Sequence, residues 1–187
     1  MARNTKTTSC RFSLSVMSDN YKSMILDALS KVDSALVTSS TDLLATTYIG
    51  DYQNVLGTLQ SIFSVVNDNN THITMEATLS PVNIPREMTV ACITPTTKNF
   101  IVHGKIAIYP LGYPDYQDYI DYLIELGQNC GLYQKSTHHG FEFCGDVTEL
   151  FTFIQKIYRI TEIEIDDFVI QISLSVNSPS LKKKELF

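Results

Sequence analysis

At 187 residues, with 44% hydrophobic and 18% charged side chains, the chain is long enough to bury a core and too mixed in composition to be fibrous or disordered. Its net charge of -6 supplies no overall basic field, so nucleic acid is not expected as a partner. No stretch approaches the ~18 apolar residues of a membrane span, and the polar start, Met1 to Ser9, lacks the apolar centre of a signal peptide. The expectation is a cytoplasmic protein without membrane insertion.

From Cys10 to Met17 the chain alternates strictly, with Cys10, Phe12, Leu14 and Val16 on one side and Arg11, Ser13, Ser15 and Met17 on the other. That is the period of a half-buried strand. Ser18-Asp19-Asn20 supplies capping side chains, and Tyr21, Met24, Ile25, Ala28, Leu29 and Val32 fall at amphipathic-helix spacing. Two short strands are predicted near Leu36 to Ser39 and Leu44 to Ile49. Gly50-Asp51 then opens a second helix whose apolar stripe is Val55, Leu56, Leu59, Ile62, Phe63 and Val66. A fourth strand, His72 to Ser80, alternates again. Pro81, Pro85 and Pro95 mark the stretch up to Asn99 as a linker.

From Ile101 the pattern restarts. Phe12 answers to Ile106, 94 positions on; Tyr21 answers to Tyr116 at 95, Thr41 to Thr137 at 96, and Gly50-Asp51 to Gly145-Asp146 at 95. Val55, Leu56, Leu59, Ile62 and Phe63 then repeat as Leu150, Phe151, Ile154, Ile157 and Tyr158, and Glu76 and Thr78 as Gln171 and Ser173. Internal repetition of this kind decides the fold class. Each copy reads β-α-β-β-α-β, the order of a ferredoxin-like unit. The predicted fold is therefore α+β: two tandem ferredoxin-like repeats over residues 9–81 and 100–178, joined by a linker over 82–99, with antiparallel sheets and helices on one face.

Helices on one face leave the other sheet face to water, to a second sheet or to a ligand. In the first copy that face carries Arg11, Ser13, Ser15, Met17, Thr74, Glu76 and Thr78, and in the second Lys105, Ala107, Tyr109, Gln171, Ser173 and Ser175. Besides a plain wet surface, such hydroxyls and aromatics with few long charges suit a flat heterocycle with polar edges. His138 and His139, being neighbours on an extended chain, point to opposite sides and do not chelate one metal together. Cys10, Cys92, Cys130 and Cys144 form no C-x-x-C pair, so neither structural zinc nor a disulfide scaffold is expected. Cys144 reads as a packed thiol rather than a nucleophile. No nucleophile with its base, glycine-rich phosphate loop or paired-carboxylate motif stands out, which favours binding over turnover. Neither catalytic residues nor a cofactor is expected.

The segments C-R-F-S-L-S-V-M-S-D-N-Y from Cys10, S-T-D before the third strand and M-E-A-T-L-S in the fourth resemble the YkoF-type thiamin/hydroxymethylpyrimidine-binding family. The second copy carries the resemblance too, in Y-P-L-G at 109–112, G-L-Y at 131–133, S-T-H at 136–138, G-D at 145–146 and N-S-P-S at 177–180. This resemblance implies a homodimer that binds thiamin or its pyrimidine half without catalysis, with a link to an ABC-type transporter in uptake or salvage. It also implies a pocket in each copy, against the open sheet face near the Ser-Thr pair. In the first, Glu76 or Asp42 would accept from the exocyclic amine beside Ser13 or Thr41, with Tyr48 as a stacking wall. In the second, Gln171, Thr137, His138 and Tyr109 would do the analogous work. Two other readings stay open: a small ferredoxin-like enzyme of oxygenase or isomerase type, and a module whose open faces serve only to dimerise.

Overall fold

A computed structural model describes residues 7–84, 91–96, 98–137 and 140–182. The first repeat comprises β1 (Thr7–Val16), α1 (Tyr21–Lys31), β2 (Thr38–Thr41), β3 (Thr46–Gly50), α2 (Tyr52–Val66) and β4 (Ile73–Val82). The second comprises β5 (Ile101–Pro110), α3 (Tyr116–Asn129), β6 (Tyr133–Thr137), β7 (Gly140–Asp146), α4 (Val147–Glu164) and β8 (Phe168–Val176), and a short α5 (Pro179–Lys182) follows. The order is the predicted tandem βαββαβ. Strand bounds differ in detail: β2 starts two residues later than expected, and β4 runs past the predicted end at Ser80 through Pro81 to Val82, the first residue of the predicted linker.

The two repeats do not form two sheets. Eight strands hydrogen-bond in the order β2-β3-β1-β4-β8-β5-β7-β6, because β4 and β8 pair antiparallel from Ile73 opposite Val176 to Leu79 opposite Ile170. Ala77 faces Ile172, its counterpart 95 positions on, while Glu76 faces Ser173 and Thr78 faces Gln171. A pseudo-two-fold axis therefore passes between Ala77 and Ile172, and the counterpart of each open-face residue lies diagonally across it.

The alternation read from the sequence sorts the two faces. Cys10, Phe12, Ile73, Met75, Ile106, Ile170 and Leu174 are buried under the helices, while Arg11, Glu76, Thr78, Lys105 and Gln171 lie exposed on the other side. Burying each large apolar side chain contributes about 1.5–3 kcal/mol, and one continuous core runs through both repeats. α1 contributes less than its stripe promised: Ala28 is buried, but Tyr21 and Leu29 stay exposed.

Two features join the halves on the helix side. Thr8 donates to the Tyr158 hydroxyl at 2.8 Å inside the core, and the Tyr52 and Tyr158 rings stack with centroids 5.4 Å apart. The described residues 91–96 and 98 of the connection between repeats lie along α2. Asn54 donates to the Ala91 carbonyl and accepts from the Ile93 N–H, Ser61 accepts from Thr96 N–H, and Lys98 donates to the Asn67 carbonyl. Polar Asn54 and Ser61 are consequently buried on what a helical wheel would assign to solvent, and Gln60 is buried where it reaches Thr148 on α4.

Tyr158→Phe should lower unfolding free energy by about 1–3 kcal/mol by removing the partner of a buried hydroxyl, and Tyr158→Ala by about 3–5 kcal/mol. Urea denaturation followed by far-UV circular dichroism checks both. A single transition in each variant is the expected form, because the core and sheet are shared.

Candidate ligand-binding site

The open face is built from two rows of side chains that cross the sheet. In register, the first runs Ser13, Glu76, Ser173, Lys105, Glu142 and Lys135. The second runs Ser40, Thr47, Arg11, Thr78, Gln171 and Ala107. The pseudo-two-fold exchanges the rows: Glu76 corresponds to Gln171, Ser173 to Thr78, Lys105 to Arg11 and Ser13 to Ala107.

Where the rows meet the β2–β3 turn, the surface hollows to about 390 Å³, lined by Arg11, Ser13, Glu76, Thr78, Gln171 and Ser173 and closed at one end by Leu44 and Ala45. Its walls come from both repeats, since Gln171 and Ser173 stand on β8. Polar groups in it are already oriented. Ser173 donates to Glu76 Oε2 at 2.6 Å, a short bond to an ionised acceptor. Tyr109 donates to Gln171 Oε1 at 3.2 Å, so that the Gln171 amide N–H₂ remains as the donor of that side chain.

Asp42 fixes the turn. Its Oδ1 accepts from the backbone N–H of Leu44 at 2.8 Å and of Ala45 at 3.0 Å, the bond pattern that makes aspartate a turn former. Arg11 reaches across from β1 and donates through two nitrogens, at 2.7 Å to Oδ2 and 3.1 Å to Oδ1. The Arg11 guanidinium, then the two backbone donors, hold the Asp42 carboxyl well below the usual carboxylate range. The turn so pinned thrusts Leu43 and Leu44 into solvent. On the helix side of the same turn a second hollow of about 250 Å³ is lined by Thr41, Asp42, Leu43, Thr46, Ile25 and Leu29.

The residues singled out from the sequence divide accordingly. Ser13, Glu76 and Gln171 meet in the open-face hollow, with Tyr109 bonded to Gln171 at its edge. Thr41 and Asp42 line the helix-side hollow. Tyr48 is not on the open face: it pairs with Cys10, is 4% exposed, and lies with its ring 5.1 Å from that of Phe12 under the helices. Thr41 and Thr137, equated by sequence, face opposite sides, since Thr41 pairs with Thr46 and shares the side of Phe12, whereas Thr137 pairs with Gly140 and shares the side of Ala107. A single-residue slip in a strand inverts the face: Ser40 opposite Thr47 and Thr41 opposite Thr46 recur 95 positions on as Lys135 opposite Glu142 and Ser136 opposite Phe141, so the counterpart of Thr41 is Ser136 and not Thr137. His138 lies outside the described residues. Sequence reasoning missed Ser173 as the partner of Glu76 and Arg11 as the partner of Asp42; the first depends on β4 pairing with β8 and the second on a strand meeting a distant turn, and no local pattern contains either.

A family model for the YKOF-related family matches residues 7–87 and again residues 101–181. The chain belongs to the YKOF-related family. As a member of the YKOF-related family it is similar, at 26% identity over 185 residues, to the Bacillus subtilis (strain 168) protein named "Putative HMP/thiamine-binding protein YkoF", with 94% of this chain and 92% of that one aligned. The two matched stretches coincide with the two halves of the sheet that meet at the axis.

Other chemistry-bearing groups of this YKOF-related chain are placed less suggestively. No group of three or more His, Cys, Asp and Glu side chains among the described residues converges as a metal site. No helix among them is long and apolar enough to cross a membrane. Cys144 lies 3.7 Å from His103 Nε2 on the open face, and partial burial pushes its thiol up, the reverse of nucleophile activation. Deeper burial pushes Cys10 up to about 12. With a chromogenic disulfide reagent near pH 8, exposed Cys92 and Cys130 should react first, Cys144 more slowly, and Cys10 only on unfolding. Single Cys→Ser variants assign each phase, and a burst from Cys144 would contradict the order.

Proposed function

We propose that the protein binds thiamin or its hydroxymethylpyrimidine moiety in the open-face hollow, as a carrier or buffer rather than an enzyme. The observation that supports this reading best is the pairing of Glu76, an ionised acceptor, with Gln171, whose free end is an amide donor, on adjacent strands of one hollow. An aminopyrimidine edge presents an exocyclic amine beside a ring nitrogen, a donor beside an acceptor, and so matches Glu76 and Gln171 in that order. Ser13 and Thr78 add hydroxyls on the same floor. Asp42 holds the turn that closes the hollow, and Leu44 covers the ligand's apolar side. The name carried by the Bacillus subtilis relative points the same way.

In this reading Tyr109 orients Gln171 rather than stacking on the ring, and Thr41 supports the turn through its 3.0 Å contact with Thr46. The counterpart position in the second repeat, around Lys105 and Ala107, takes ligand more weakly, because Ala107 lacks the hydroxyl of Ser13. Thr137 belongs to that weaker position. The protein works as a cytoplasmic homodimer, and its role is to hold ligand delivered by an ABC-type transporter for uptake or salvage.

Isothermal titration with thiamin and with hydroxymethylpyrimidine should show saturable binding to the full chain. Glu76→Gln should weaken it about tenfold or more, as expected for a hydrogen bond to a charged group worth about 1.5–3 kcal/mol. Absence of both heat and thermal shift at millimolar ligand would remove the proposal.

A further inference from the structure

Resting on the binding role proposed above, we infer that the hollow takes an unphosphorylated ligand, neutral or cationic, and refuses its phosphate esters, and that Asp42 sets this selectivity by keeping Arg11 occupied. Arg11 is the cation at the rim of the hollow, beside the hydroxyls of Ser13 and Thr78. A guanidinium fork in such a place would ordinarily serve as a receptor for a phosphate. Here the fork is already filled. Two of its nitrogens face both oxygens of Asp42, at 2.7 and 3.1 Å. Asp42 cannot swing aside without losing its bonds from Leu44 and Ala45.

With Arg11 and Asp42 cancelling, the charge left in the hollow is that of Glu76, whose partner Ser173 is neutral. A phosphate monoester brings roughly 1.5 to 2 negative charges at pH 7. To bind, it would have to approach Glu76 and take Arg11 from a carboxylate that then has no cation of its own. A cationic thiazolium meets the opposite balance, since the remaining carboxylate attracts it. The second repeat does not copy the arrangement: Lys105, the counterpart of Arg11, stands in register opposite Glu142, but Glu142 pairs with Lys135 at 3.2 Å.

The test compares thiamin with thiamin monophosphate by isothermal titration of the full chain, as wild type, Asp42→Asn and the double variant Asp42→Asn/Arg11→Gln. Asparagine keeps the side-chain oxygen that receives the Leu44 and Ala45 N–H groups, so the turn persists while the charge goes; a melting curve verifies folding. The readout is the ratio of the two affinities. Wild type should favour thiamin at least tenfold, Asp42→Asn should shrink that preference about tenfold, and the double variant should restore it. Thiamin binding with equal affinity for the ester, or a ratio that Asp42→Asn leaves unmoved, overturns the selectivity while the binding role stands. A wild-type protein that takes up neither compound removes the binding role and the selectivity with it.

Discussion

Everything in this molecule depends on the antiparallel pairing of β4 with β8. Each repeat alone would be a four-stranded sheet with one edge formed by its last strand, β4 or β8, a row of unpaired N–H and C=O groups next to a half-built core. Pairing those two edges satisfies both rows at once, removes the most adhesive edges of the halves, and brings α2 beside α4 so that Tyr158 can meet Thr8 and Tyr52. The edges that remain are β2 and β6. β2 is short and fully exposed, and β6 carries Lys135, both features that discourage further pairing.

The same pairing makes the hollow. Ser13 and Arg11 stand on one side of Glu76 and Thr78, and Ser173 and Gln171 on the other, so the floor exists only because strands from different repeats lie next to each other. Its chemistry is set by neutral partners around one carboxylate. Ser173 bonds Glu76 without cancelling its charge, Tyr109 fixes an amide, and the one strong ion pair at the rim, Arg11 with Asp42, is spent on the turn. Because that pair is solvent-exposed, its value is mainly geometric: it sets where Leu44 stands rather than adding much to stability.

Local periodicity carried most of the fold. Alternation of period two located β1, β4, β5 and β8 and assigned their faces, and the constant 95-residue offset from Tyr52 onward located the second half of the chain from the first. What failed was whatever depended on a count inside a short strand. Equating Thr41 with Thr137 rests on the identity of a Ser-Thr pair, but the strand register repeats at 95 positions, which makes Ser136 the counterpart of Thr41 and leaves the two threonines on opposite faces. Tyr48 was placed by its aromatic character, yet its position opposite Cys10 puts it in the core. That one hollow draws on both repeats was not legible either, because no local pattern states which edges of two similar sheets will join. The distant partners Arg11 and Asp42 belong to the same class: a contact between a strand and a turn 31 residues away is fixed only after the sheet is assembled.

The segment lying along α2 has a further consequence. Two identical copies of one repeat, associating about the same axis, would be obliged to place the same side chain at every symmetry-related spot. A covalent tether between the halves lifts that obligation. It lets an acid at 76 face a future of its own while 171 becomes an amide, and it is this inequality, rather than the fold, that allows the centre of the sheet to acquire a direction: one end that accepts and one that donates.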